Sequence, residues 1–195
     1  MMLFAVPLGV LLGWVAGGSL ERLGCYPFRH PVLLIIAFAM QVGLSRLSQW
    51  GIGIPAGVAY GVHIASYAFL LAVLALNLRV PGIPLVSVGA ATNFAVIAIN
   101  GGMPVDVVTL ERLGYESSAQ MLRTGESFTH IALDETTRLP LLGDIILSPR
   151  WIPGAALLSP GDVLMMIGIV WAIVAGMKGV CGADSSSGVK CSHGR

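Results

Sequence analysis

The stretch Asn100-Gly101-Gly102-Met103-Pro104-Val105, which opens a polar run closing at Ser159-Pro160-Gly161-Asp162, decides how the whole chain is read. Eight of the ten acidic residues fall between residues 100 and 162, and the sequence on either side is apolar. Over all 195 residues 55% are hydrophobic and only 11% are charged. A soluble protein carries about 25% charged residues, so this chain has too few to clothe a water-facing surface. The composition is that of an integral membrane protein. A formal charge of +1, with no basic run interleaved with aromatics, sets nucleic acid aside as a partner.

A helix needs roughly 20 mainly apolar residues to cross the hydrocarbon layer. Five stretches meet that length: about 2–20, 31–49, 54–77, 83–100 and 160–177. The expectation is an all-α bundle of five transmembrane helices in one membrane domain over 1–177. Residues 101–159 then form a lid of about 60 residues between the fourth and fifth spans, and 178–195 form a disordered cytoplasmic tail. Ala16-Gly17-Gly18 resembles a signal-peptide cleavage site, but no Lys or Arg precedes the apolar run, so it reads as an uncleaved span. The lipid bilayer is the expected partner, with a second copy of the chain or another envelope membrane protein as a further one.

Small residues recur every four positions in three spans: Gly9, Gly13 and Gly17; Gly57, Gly61 and Ala65; Gly168, Ala172 and Gly176. Such strips let backbones approach where lipid supplies no hydrophobic drive, so all three predict close helix contacts. Polar residues in the spans need partners. Gln41, Ser45 and Ser48 form one stripe, Tyr60, His63 and Tyr67 share a face, and so do Asn93 and Asn100. An ionisable group at membrane depth suggests function unless something nearby satisfies it. His63 is therefore open between proton transfer and satisfied packing. The last span begins with Ser159 as N-cap, Pro160 at the first helical position and Asp162 in the capping-box place, which gives Ser159 and Asp162 a structural role.

Arg22, Arg29, Arg79, Lys178, Lys190 and Arg195 all fall on one side of a five-span chain, and Arg46 marks the other short loop. The positive-inside rule makes the first side cytoplasmic, so the N-terminus lies outside and 101–159 is extracytoplasmic. Cys25, Cys181 and Cys191 then sit on the reducing side, and no disulfide framework is implied. Within 101–159, Val105 to Leu113 and Ser117 to Arg123 carry helical spacing, with Gly114 and Gly125 as stops. From Phe128 to Leu158 the chain reads as an irregular, apolar-rich flap resting on the helices, with Trp151 at interfacial depth.

Three motifs recur in order: Asn100-Gly101-Gly102-Met103-Pro104-Val105; His130 followed by Thr137-Arg138-Leu139-Pro140-Leu141-Leu142-Gly143-Asp144; and Ser159-Pro160-Gly161-Asp162. Through them the chain, over about residues 1–177, resembles a family of small bacterial integral membrane proteins catalogued as a domain of unknown function. The resemblance implies a bacterial inner-membrane location and brings no activity with it.

Asn100, His130, Asp134 and Asp144 are the candidate catalytic residues. His130 and Asp134 stand four apart, which would suit one metal on a helix, but two ligands without a third make no metal site. Asp144 can be a turn-forming acid, an ion-pair partner of Arg138 or a general acid/base. No nucleotide loop, nucleophile elbow or zinc-protease motif is present, and no cofactor is implied. Three readings follow. The one that asks least is a non-catalytic bacterial envelope protein whose lid is an interaction or assembly surface. A second is a path for a small solute, ion or lipid headgroup along Gln41, His63, Asn93 and Asn100. The third is a hydrolase or transferase site on a lipid-linked substrate, built from Asn100, His130, Asp134 and Asp144 at the outer face.

Overall fold

The computed structural model describes residues 2–24, 28–149 and 156–180. Cys25, Trp151, Cys181, Cys191 and the expected tail from residue 181 onward lie outside the described residues. The chain opens with helices α1 (Met2–Val15), α2 (Leu20–Gly24), α3 (Pro31–Gln49), α4 (Ala56–Leu76) and α5 (Ile83–Asn100). The 101–159 segment follows, with strand β1 (Met103–Val105), helices α6 (Val107–Arg112) and α7 (Glu116–Arg123), and strands β2 (His130–Ala132), β3 (Ile146–Leu147) and β4 (Leu157–Leu158). Helix α8 (Pro160–Met177) closes the bundle.

Among the described residues four helices, α3, α4, α5 and α8, are long and apolar enough to cross a membrane. The expected first span over 2–20 is shorter than that. With 14 residues, α1 is roughly 21 Å long against a hydrocarbon layer of roughly 30 Å. Its helix stops because Gly17 adopts φ 77 and Gly18 backs onto α8, where a Cβ would lie 2.8 Å from the carbonyl carbon of Met177. Ser19 N–H then donates to Met177 O at 2.9 Å. Gly9 faces Ile173 and Gly13 faces Met177, so α1 runs parallel to α8 and in step with it.

The helices pack in the order α1, α8, α5, α4, α3. At the α5–α8 contact glycines oppose one another: a Cβ on Gly161 would stand 2.7 Å from Gly89 O, and one on Gly168 would stand 2.7 Å from Gly82 O. The small strip of α4 behaves differently from the expectation. Gly57 and Gly61 meet nothing within 4 Å, because α4 turns Ala59, His63, Ser66 and Tyr67 inward instead.

Two asparagines at helix ends perform the same task. Asn77 Oδ1 accepts from Arg29 N at 2.7 Å, and its Nδ2 donates to Arg29 O at 3.0 Å and Val73 O at 2.7 Å. Asn100 Oδ1 accepts from Arg138 N at 2.8 Å, and its Nδ2 donates to Arg138 O and Val96 O, both at 2.9 Å. The residue after each clasped arginine, His30 or Leu139, is left-handed, at φ 54 and 55, and each is followed by a proline that starts a helical turn. A side chain in that region costs about 1–2 kcal/mol. The paired amide hydrogen bonds offset it.

The 101–159 segment is more ordered than an irregular flap. Strand β1 pairs in parallel with β2, and Val105 bridges to Asp144 on its other edge. Strands β3 and β4 pair antiparallel. Pairing partners 27 residues apart, such as Met103 and His130, leave no alternation visible in three-residue strands. Val105, Leu110, Ala119 and Leu122 give the segment a small core of its own, and Met103 packs with Tyr67, Val96 and Ile97 to seat it on the bundle.

The glycine contacts predict opposite outcomes for the same substitution. Gly161→Ala should lower the thermal unfolding midpoint of the purified protein in detergent, by the equivalent of roughly 1–3 kcal/mol of overpacking. Gly61→Ala should leave it unchanged or raise it.

Candidate functional site

Strand β1 is the scaffold of the site. Met103 N–H donates to Thr129 O at 2.9 Å on one edge, and Asp144 N–H donates to Pro104 O at 2.8 Å on the other. Thus the strand brings Thr129 and His130 to one side of a chamber and Asp144 to the other. Gly143 must be glycine for this approach, since a Cβ would stand 2.6 Å from Pro104 O. Gly101, at φ 84, turns the chain out of α5 into the strand.

Beneath β1 lies a cavity of about 150 Å³. Gln41 and Ser45 of α3, His63 and Tyr67 of α4, Asn93 of α5 and Asp162 of α8 meet Thr129, His130 and Asp144 around it. A second cavity of about 360 Å³ lies toward α6 and α7 and shares Ser45, Thr129, His130, Asp144 and Asp162 with the first. The two form an inner chamber and its vestibule. Ser48 fastens the vestibule to α3 by accepting from Phe128 N at 3.0 Å.

The back wall is held by a closed set of hydrogen bonds. Asn93 Nδ2 donates to Asp162 Oδ1 at 2.9 Å, and Ser159 Oγ donates to Asn93 Oδ1 at 3.0 Å. Asp162 N donates to Ser159 Oγ at 2.9 Å and Ser159 N to Asp162 Oδ2 at 3.4 Å, which completes the capping box. These groups satisfy one another and anchor α8.

The remaining groups are less satisfied. His63 meets Tyr67 in a tilted ring contact, with centroids 5.6 Å apart and planes 57° apart, yet its buried Nδ1 makes no hydrogen bond to the described residues. Asp144 is 11% exposed at its side chain, and its Oδ1 is also without a hydrogen bond to them. Its Oδ2 lies 3.7 Å from His130 Nε2, the distance of an ion pair or a water bridge. His130 Nδ1 lies 2.7 Å from Thr129 Oγ1. If the threonine hydroxyl donates there, Nε2 carries the imidazole proton and points it at Asp144.

Burial pushes the Asp144 carboxyl up to about 8, with the negative charge of Asp162 adding to it. Desolvation of the inner side of His130 pulls its imidazole below the ordinary value. The ring is 44% exposed, and that contact with solvent limits the shift. The pair therefore favours a neutral acid beside a neutral base. With the tautomer in which Nδ1–H donates to Thr129 Oγ1, Nε2 is free, and Asp144 can pass its proton there and leave an ion pair instead of an isolated buried charge.

The other expected site residues lie apart. Asn100 clasps Arg138 and does not line the chamber, so Gln41, His63 and Asn93 share a cavity that Asn100 does not enter. Asp134 is exposed and accepts from Thr136 N at 2.8 Å and Thr136 Oγ1 at 2.7 Å, a turn that holds its carboxyl below the usual range. The i, i+4 pairing of His130 and Asp134 fails because His130 begins a strand, not a helix. Tyr67, Thr129 and Asp162 complete the chamber, and the sequence signalled them only as an aromatic near His63, an ordinary threonine and a capping acid. Among the described residues no group of three His, Cys, Asp or Glu side chains is placed to hold a metal ion.

A family model described as a family of unknown function (DUF5317) matches residues 26–174. An uncharacterized protein of Thermotoga maritima is 28% identical over 172 residues, covering 86% of this chain and 88% of that relative. No solved structure matches the chain.

Two outcomes follow from the geometry. Asn100→Ala removes the bonds to the exposed Arg138 amide and carbonyl and should lower the midpoint by the equivalent of about 0.5–1.5 kcal/mol, whereas His130→Gln should not lower it. Asp144 binds its proton more tightly in the folded state than at its ordinary value of 3.8. Its contribution is complete below that value and is lost as pH rises through about 8. His130 is neutral in both states above its ordinary 6.5, so the interval from there to about 8 removes its titration from the comparison. Over it the wild-type midpoint should fall, and Asp144→Asn should flatten the fall; equal slopes would remove Asp144 as the cause.

Proposed function

We propose that this chain, which belongs to the family of unknown function DUF5317, binds the polar head of an amphiphilic, lipid-linked molecule in the chamber under the 101–159 lid. His130 and Asp144 serve there as a proton-transferring pair. The observation that carries this reading is the pairing of two buried unbonded atoms, Asp144 Oδ1 and His63 Nδ1, on the wall of one cavity. An unbonded buried polar atom costs about 1–3 kcal/mol. A ligand with a hydrogen-bonding head recovers that energy for both at once. The short connections at the opposite end of the helices carry Arg22, Arg29 and Arg79, against Arg46 at the short connection on the lid side, and this bias supports placing the lid and chamber on the extracytoplasmic side of a bacterial inner membrane.

The chamber supports a site over a path. Past Gln41, His63 and Asn93, the inward faces of α4, α5 and α8 carry Leu74, Val80, Ile83, Val86, Ala90 and Met165, all buried against one another. A polar solute entering from the lid meets an apolar region that offers it no hydrogen-bonding partner. The assembly-surface reading keeps one observation of its own, the exposure of Leu141 at 75% and Leu147 at 59% on the segment's outer side. It leaves the unbonded carboxyl of Asp144 without a task.

Cysteine access tests the chamber. With Cys25, Cys181 and Cys191 replaced by Ser, Gln41→Cys and His63→Cys should react with a charged, water-soluble thiol reagent applied to the lid side, and Leu74→Cys should not. Lipids copurifying with wild type should include a species lost from both Asp144→Asn and His63→Phe at unchanged melting temperature. Unreactive chamber cysteines together with identical lipid profiles would sink the reading.

A further inference from the structure

A second cavity system lies at the opposite end of the helices and is built of different material. Its volume is about 280 Å³, and every side chain on it is apolar. Leu34 of α3, Leu70 and Leu74 of α4, Val86 of α5, and Ile169 and Ile173 of α8 form its walls. An apolar cavity of about 150 Å³ stays dry and takes up hydrocarbon. One this size, between helices that stand in lipid, has room for a stretch of acyl chain.

The charges at its mouth identify which lipid. Leu23, Phe28 and Val80 line the cavity at that end, and their chain neighbours are Arg22, Arg29 and Arg79. Lys178 follows Ile173 by five residues at the end of α8. All four cations are exposed. Two contacts hold them around the same opening. Asn77 clasps the backbone of Arg29 to the α4–α5 turn that carries Arg79. The Arg22 side chain lies against the end of α8, with its Cδ 3.6 Å from a Cβ built on Gly179. Glu21 is the acidic residue among the described residues here, so cations outnumber it four to one.

We infer that this end is a binding site for one anionic phospholipid, its acyl chain in the cavity and its phosphate head among Arg22, Arg29 and Lys178. A zwitterionic head brings no net attraction to that rim, whereas each Lys or Arg near an anionic head contributes roughly a five-fold gain in binding. The site shares no residue with the chamber under the lid and does not rest on the function proposed for it.

The test uses the full chain in detergent with phosphatidylglycerol and phosphatidylcholine of matched acyl length, and native mass spectrometry to count bound lipid. Wild type should retain phosphatidylglycerol at least ten-fold better. The combined Arg22→Gln, Arg29→Gln, Lys178→Gln variant should lose most of that preference while keeping its melting temperature, since Asn77 holds only the backbone of Arg29. Leu34→Trp, which fills the cavity from α3 away from the α5–α8 glycines, should reduce retention of both lipids. Equal retention of the two lipids by wild type, or a preference that survives the triple variant, overturns the assignment. So does retention of both lipids left untouched by Leu34→Trp, which would reduce the binding to attraction at the surface.

Discussion

Helices α5 and α8 approach so closely at Gly89 and Gly161 that neither position has space for a Cβ, and the rest of the structure depends on that contact. It is fastened at one point by Asn93, Ser159 and Asp162, whose hydrogen bonds close on one another. Lipid offers no hydrophobic reward for bringing helices together, so close backbone packing and polar bonds across the interface must do it. Helix α1 then packs on the far side of α8, and α4 and α3 on the far side of α5. The same lock fixes where the 101–159 segment returns to the bundle, and so where Asp162 stands in the chamber wall.

Above this lock, order comes from backbone pairing. Strand β1 is only three residues long, yet it takes hydrogen bonds on both edges, and each edge delivers one member of the His130–Asp144 pair. The clasp of Asn100 on Arg138 holds the chain just ahead of Gly143 and Asp144. The equivalent clasp of Asn77 on Arg29 holds the loops at the other end. Both clasps stabilise a left-handed residue ahead of a proline, a conformation that few sequences adopt unaided. These asparagines act by positioning, while the chamber-lining groups with unbonded buried atoms among the described residues are His63 and Asp144.

The two ends of the bundle therefore differ in kind. The lid end is polar inside, with acid, base and amide groups around a small chamber. The other end is apolar inside and basic at its rim. The buried apolar cluster from Leu74 to Met165 belongs to this second end, where Leu74, Val80, Ile83, Val86 and Met165 also line the cavity.

The sequence by itself determined the helices that could span, because apolar length is a local property: α3, α5 and α8 begin and end where 31–49, 83–100 and 160–177 predict. It also determined the cap at Ser159 and Asp162, whose bonds lie within one turn. It could not tell which small-residue strip would find a neighbour. The strips of α1 and α8 are packed, that of α4 is bare, and only the order of the helices separates the cases. Nor could it separate Asn93 from Asn100, which share a helix face but meet α8 in one case and a distant turn in the other. Only the tertiary structure decided that His130 faces Asp144 and not Asp134, because β1 lies between β2 and the Asp144 bridge, segments far apart in the chain, and long-range pairing leaves no periodic trace in segments so short.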